Sequence, residues 1–174
     1  MIKAFSSVGV LEGVFTKKYP GFNTPLSQQY LLDCSMTQGC SGGWPKAALD
    51  YVKSNGIPSN ETVPYTESET ICDPTVQMIP EIITKSVYLR LKGNETKLKD
   101  IVTSFGPVSI GISVQNNFYD YNGGIYDNKE CPSDENSINH AMLLVGYGTD
   151  ESTAIDYWLL KNSWDTDWGV SEMI

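Results

Sequence analysis

Apolar residues recur at helical spacing through the start of the chain, at Ala4, Val8, Leu11 and Phe15, and predict an amphipathic helix over about residues 2–18 with one buried face. Pro20-Gly21 ends it. A short second helix is expected from Ser27, a good N-cap, through Tyr30-Leu31-Leu32 to Cys34. A glycine-rich loop, Gly39-Cys40-Ser41-Gly42-Gly43, follows, and Trp44-Pro45 opens a third helix through Ala47, Ala48, Tyr51 and Val52 to Asn55-Gly56. From Ile57 to Pro80 the prolines at 58, 64, 74 and 80 mark a long, loop-rich connection. Beyond it the pattern changes: Ser86 to Leu91 reads as a strand, Glu95 to about Ser104 as a helix, Pro107 to Ser113 as a strand, and Tyr119 to Tyr126 as turns.

Two apolar, strand-length runs close the pattern, Asn139 to Gly148 and Tyr157 to Trp164, with a polar segment from Thr149 to Asp156 between them. They predict an antiparallel hairpin. A turn centred near Glu151 sets the sum of facing positions at roughly 302, so that His140 meets Asn162 across the ladder. The contact is notable because His140 is the one histidine in 174 residues. An amide oxygen that accepts from one ring nitrogen decides which nitrogen is left for acid–base chemistry. A structural histidine satisfied by a neighbouring amide is the plainer reading of the pair alone. The first third is helical and the second half mainly strand, which predicts an α+β fold.

Composition narrows the function classes. Hydrophobic content of 40% and charged content of 19% are those of an ordinary globular chain long enough for a real core. A net charge of −9 argues against nucleic acid, which needs a basic face. No run is long and apolar enough to cross a membrane, and none has the form of a secretory leader. Cysteines at 34, 40, 72 and 131 lack the close pairing of a zinc site, so neither a metal nor a cofactor is expected. Asn60-Glu61-Thr62 and Asn94-Glu95-Thr96 match the glycosylation acceptor pattern, at Asn60 and Asn94, and with several cysteines present they favour an oxidising, exported setting.

Several blocks together are more specific. Ala4-Phe5-Ser6 through Leu11-Glu12-Gly13, Leu31-Leu32-Asp33-Cys34, Gly39-Cys40-Ser41-Gly42-Gly43, Gly106-Pro107-Val108-Ser109, Asn139-His140-Ala141, Val145-Gly146-Tyr147-Gly148 and Lys161-Asn162-Ser163-Trp164 resemble the papain-like cysteine proteases, cathepsins among them, in order and spacing across nearly the whole chain. The resemblance implies a two-lobe papain-like fold with a substrate cleft: a helical left lobe over 1–79 and an antiparallel β-barrel right lobe over 80–174. It also implies that the fold is incomplete at both termini and that the barrel lacks its closing strands. Carried over by motif, the catalytic histidine is His140, the orienting asparagine is Asn162, and Trp164 covers their hydrogen bond from water. Gly42 and Gly43 match the backbone strip that pairs with an extended substrate. Trp44, Gly111 and Ile138 match an apolar pocket, and Trp168 walls the leaving-group side.

The nucleophile position departs from the family. Where its catalytic cysteine and tryptophan stand directly before Ala-Phe-Ser, this chain has Ile2 and Lys3. His140 stands 138 positions after Ile2, inside the roughly 130–150 that separate the two groups in such enzymes. An isoleucine cannot attack a carbonyl. The resemblance further pairs Cys34 with Cys72 and leaves Cys40 and Cys131 without their usual partners, as truncation at both ends would. It implies peptide or protein substrates, cystatin-like inhibitors as partners, a monomer when complete, and a secreted or lysosomal/endosomal setting. A non-catalytic pseudoprotease that binds peptides or inhibitors in a retained cleft is the alternative.

Overall fold

The computed structural model describes residues 2–35, 40, 42–79, 85–132 and 134–174. The elements run α1 (Ile2–Lys18), α2 (Gln28–Cys34), α3 (Pro45–Asn55), α4 (Glu95–Phe105), β1 (Val108–Ile112), α5 (Asn116–Tyr119), a 3-10 turn (Glu135–Ser137), β2 (His140–Thr149) and β3 (Asp156–Lys161). The expected face of α1 is buried: Ala4, Val8, Leu11 and Phe15 pack with Leu26, Tyr30, Leu31, Ala48, Val52 and Ile57 in one core. Ser27 caps α2 by accepting from Tyr30 N at 2.9 Å, and its own hydroxyl donates to Val63 O at 2.7 Å, which ties the helix to the long connection. Cys34 and Cys72 form a disulfide with a Cα separation of 4.9 Å, while Cys40 and Cys131 are free and exposed.

Among the described residues the sheet is three-stranded and antiparallel, in the order β1-β2-β3. A second core of Val114, Phe118, Met142 and Trp168 lies against it. Glycines set the distance between α1 and this sheet. A Cβ at Gly9 would stand 2.5 Å from Leu143 Cδ2, and one at Gly13 would stand 2.6 Å from Pro107. These two positions, one helical turn apart, let the helix backbone lie directly on the strands. A third cross-link, from Ser109 Oγ to Ser6 Oγ at 2.9 Å, gives the direction. Gly13 lies on Pro107, just before β1, whereas Ser6, nearer the N-terminus of α1, reaches Ser109 within β1, whose last residue, Ile112, pairs with His140. The N-terminal end of α1 is thereby aimed at the His140 end of the sheet.

Two expectations are corrected. Residues 85–91 form no strand: Val87, Tyr88 and Leu89 are exposed, and the segment is held by the Arg90–Glu135 ion pair and the Ser86–Asp50 hydrogen bond. A strand needs a ladder partner, and propensity without one does not make it. The hairpin register is also shifted. Leu143 pairs with Lys161 and Thr149 with Asp156, so facing positions sum to 304 and, beyond a bulge at Val145, to 305. Asp150 is the reason. Its carboxylate accepts from the backbone N–H groups of Ser152 and Thr153 and from both hydroxyls, which extends β2 to Thr149 and moves the turn centre beyond Glu151. Those four donors hold the carboxyl down at about 2.

After β3 the chain turns back on itself. Leu160 and Ile174 exchange both backbone hydrogen bonds, and Val170 and Met173 close a two-residue turn around Ser171 and Glu172, whose φ angles are +52° and +67°. Positive φ at both central positions suits Asn-Gly and strains other residues. Glu172→Gly is expected to stabilise the chain by about 1 kcal/mol, since left-handed backbone costs a side chain roughly 1–2 kcal/mol and the half-exposed ion pair to Lys161 that it removes is worth less. Urea unfolding checks the sign.

Candidate active site

Site construction starts at Asn139. Its side chain accepts from Val114 N at 2.8 Å and donates to Val114 O at 3.0 Å, which pins the start of β2 to the end of β1 and sets the place of His140. Asn162 follows β3 directly, and its backbone N–H donates to Glu172 O at 2.8 Å, so the strained turn helps hold it. Both side chains are buried, His140 at 4% and Asn162 at 5% exposure. His140 Nε2 lies 2.9 Å from Asn162 Oδ1. Continuing the register of 304 one residue past the end of β3 sets Asn162 opposite Met142, so its contact with His140, two positions from Met142, is a diagonal one.

A second donor decides the tautomer. Ser163 N–H also donates to Asn162 Oδ1, at 2.9 Å. A backbone N–H cannot donate to an amide nitrogen, so this atom is the acceptor and His140 Nε2 carries the proton that it donates. The neutral ring therefore keeps its lone pair on Nδ1. Asn162 Nδ2 is buried with no partner among the described residues, a cost accepted to keep Oδ1 on the histidine. Burial pulls the imidazole below its ordinary value of 6.5, and the bond to Asn162 offsets part of that. The unfolded chain consequently binds more protons in the window just below 6.5. The contribution of His140 to stability is complete above 6.5 and lost as pH falls through that window, so the urea midpoint is expected to drop there.

An aromatic cluster lies against His140. Trp164 lies 5.0 Å from the His140 ring, and on Trp164 are stacked Tyr119 in parallel at 5.0 Å and Phe118 and Trp168 edge-on at 5.6 and 5.2 Å. Trp168 is itself buried in the second core and donates its Nε1–H to Phe118 O at 3.3 Å. Gly111 and Ile138 also meet: a Cβ on Gly111 would come within 2.9 Å of Ile138 Cγ2, so the glycine makes room for that side chain. Gly42 and Gly43 lie in the α2–α3 connection with φ of +155° and +138°, where an L side chain is strained, and Trp44 beside them is 59% exposed. Among the hydrogen bonds and ring contacts of the described residues, none joins these three to the His140 cluster. Gly39, Ser41 and the side chain of Ile2 lie outside the described residues.

Beside Asn162, α1 and the β2–β3 hairpin line an open pocket of about 370 Å³ that reaches Glu12, Lys161 and Glu172. Glu12 accepts from Leu26 N at 2.9 Å, and burial raises its carboxyl above the usual range. Among the described residues no group of three or more His, Cys, Asp or Glu is placed to hold a metal ion. Sequence reasoning missed Phe118 and Tyr119 because α5 is one turn long and has no side-chain cap. The density of rings at 118, 119, 121 and 126 was the available signal.

Comparison with known proteins places this geometry. A family profile described as papain family cysteine protease matches residues 3–173. The chain belongs to that family. It is 42% identical over 171 residues to a cathepsin L of Sarcophaga peregrina, covering 95% of this chain and 49% of that protein. Among solved structures, the digestive procathepsin L2 proteinase of the Tenebrio molitor larval midgut matches with a TM-score of 0.87 at 36% identity, over 98% of this chain and 54% of that one. Bromelain of Ananas comosus, solved in complex with the E64 inhibitor, matches at 0.85 and 31% identity, over 99% and 77%. This papain-family chain spans about half the length of the curated relatives it matches.

Proposed function

We propose that His140 and Asn162 are the acid–base half of a papain-type peptidase site whose ligands are peptides or proteins, and that the nucleophile position of this chain is held by Ile2. The observation that carries the reading is the buried Nε2–Oδ1 hydrogen bond, locked in one tautomer by Ser163 N–H and packed against Trp164. A ring held in this way offers Nδ1 to a thiol in the position opposite, takes its proton, and returns it to the leaving amine. The order of contacts along α1 supports placing residue 2 at that end of the sheet. Gly42, Gly43, Trp44, Gly111, Ile138 and Trp168 are assigned to the cleft, between lobes divided near residue 80. The same reading takes the setting as secreted or lysosomal/endosomal, the complete protein as a monomer, and cystatin-like inhibitors as partners.

An aliphatic side chain cannot form an acyl-enzyme, so incubation with fluorogenic peptides is expected to give no hydrolysis above buffer. Thiol-dependent cleavage by the purified chain would overturn the assignment of Ile2. A second reading, a pseudoprotease that binds without cutting, is favoured by Ile2 itself. Saturable binding of an extended peptide that is lost in Gly43→Val would support it, because a side chain at φ +138° disrupts the strip on which such a peptide would pair.

A further inference from the structure

We infer that Asn94, in preference to Asn60, carries an N-linked glycan when the chain passes through a secretory compartment, and that it does so while capping α4. Both asparagines stand in acceptor triplets, but their surroundings differ. Residues 92–97 are all exposed, and a Cβ built on Gly93 meets nothing within 4 Å, so the backbone on the N-terminal side of Asn94 faces open space. Asn60 is half-buried in a turn closed by Thr62 N and Val63 N on Ser59 O. Its own N–H donates to Pro25 O at 2.8 Å, and the acceptor hydroxyl of Thr62 is hydrogen-bonded to Ser59 Oγ at 2.9 Å.

The two ends of the Asn94 amide are separable. Oδ1 accepts from Lys97 N at 2.9 Å and caps the helix, while no hydrogen bond among the described residues uses Nδ2. Glycan transfer from a lipid-pyrophosphate-linked oligosaccharide takes place at Nδ2 alone. The bond from the anomeric carbon to the phosphate oxygen breaks, the bond from that carbon to Nδ2 forms, one amide proton is released, and the lipid pyrophosphate departs with the electron pair. The carbonyl oxygen survives, so cap and glycan coexist. The site also lies clear of the cleft. Lys99 and Thr103 of α4 contact Asp156 and Tyr147 near the tip of the hairpin, at 3.2 and 2.9 Å, and Asn94 is further out along the same helix. His140 begins β2, roughly 24 Å from Tyr147 along the strand.

The test is secretion of the whole chain from a eukaryotic cell behind a supplied leader, followed by peptide mapping of both triplets before and after peptide N-glycosidase. Asn94 is expected to be modified in most molecules and Asn60 in fewer. Asn94 bare in most molecules, or Asn60 modified as fully as Asn94, would overturn the inference. Three variants separate glycan from cap. Asn94→Asp and Thr96→Ala are expected to lose the glycan and keep the urea midpoint of the enzymatically deglycosylated parent, while Asn94→Gln loses the glycan and lowers that midpoint. Equal midpoints for Asn94→Gln and Asn94→Asp would refute the shared role. None of these readouts depends on peptide hydrolysis.

Discussion

Replacing Cys34 and Cys72 together with serine is expected to cost the folded chain about 4 kcal/mol, the loop-closure value for a sequence separation of 38. That is a large share of the roughly 5–15 kcal/mol by which a domain is stable. The loop is not incidental to the first core: between the two cysteines it supplies Ile57, Val63 and the α3 residues Ala48 and Val52, and Val76, Met78 and Ile79 follow directly after Cys72. Without the bridge the connection from 57 to 79 retains a few anchors, among them the Ser27 hydroxyl on Val63 O and Gln29 Nε2 on Ser68 O. Urea unfolding of the double variant should show a lower midpoint and a steeper slope, because the unlinked denatured state exposes more surface. Cys40→Ser, at an exposed free thiol, is the control and should change neither. A double variant within 1 kcal/mol of the parent would rule out the bridge as a principal constraint.

How far the fold was legible depended on whether a residue's partner lay on its own element. The face of α1 could be read because helical spacing alone places Ala4, Val8, Leu11 and Phe15 together, and the Ser27 cap could be read because the N–H it accepts from, that of Tyr30, is three residues away. Residues 86–91 could not, because whether an alternating run becomes a strand is decided by a neighbour elsewhere in the chain. The hairpin shows how the site survived an error in register. The turn built on Asp150 moved the pairing beside it by three positions and the bulge at Val145 took one back, so the net shift of two at the site keeps a residue on the same face and His140 and Asn162 still meet, on a diagonal. A slip of one would have put them on opposite faces. Two of the rings on Trp164, Phe118 and Tyr119, come from α5, which has no sequence period to reveal it, and the lock on the amide comes from the backbone of Ser163, which no side-chain pattern encodes.

Ile2→Cys is expected to raise the titration midpoint of His140 by about 1–3 units, reversing the direction set by its burial. In the parent chain burial acts against the imidazolium, and Ile2 offers no thiolate to favour it. A cysteine at the first turn of α1 loses its proton readily, because the helix N-terminus favours negative charge and α1 has no acidic side chain in its first turn to compete for it. The thiolate and the imidazolium then stabilise each other, so the thiol midpoint must fall as the histidine midpoint rises, and the two titrate as a pair. The chain has one histidine, so a single imidazole resonance reads the whole effect without assignment. Ile2→Ser places a polar but uncharged group in the same position and should leave the midpoint near that of the parent. Removing the amide as well, with Asn162→Ala in the cysteine background, should lower the midpoint again, because Nε2 loses the acceptor that favours its protonated form. Hydrolysis should still be slow in Ile2→Cys alone, since a thiolate–imidazolium pair supplies attack and proton transfer but not stabilisation of the oxyanion. An unchanged histidine midpoint in Ile2→Cys, with the cysteine shown to be reduced, would mean that residue 2 does not face His140, and the peptidase-type assignment of the pair would fall with it.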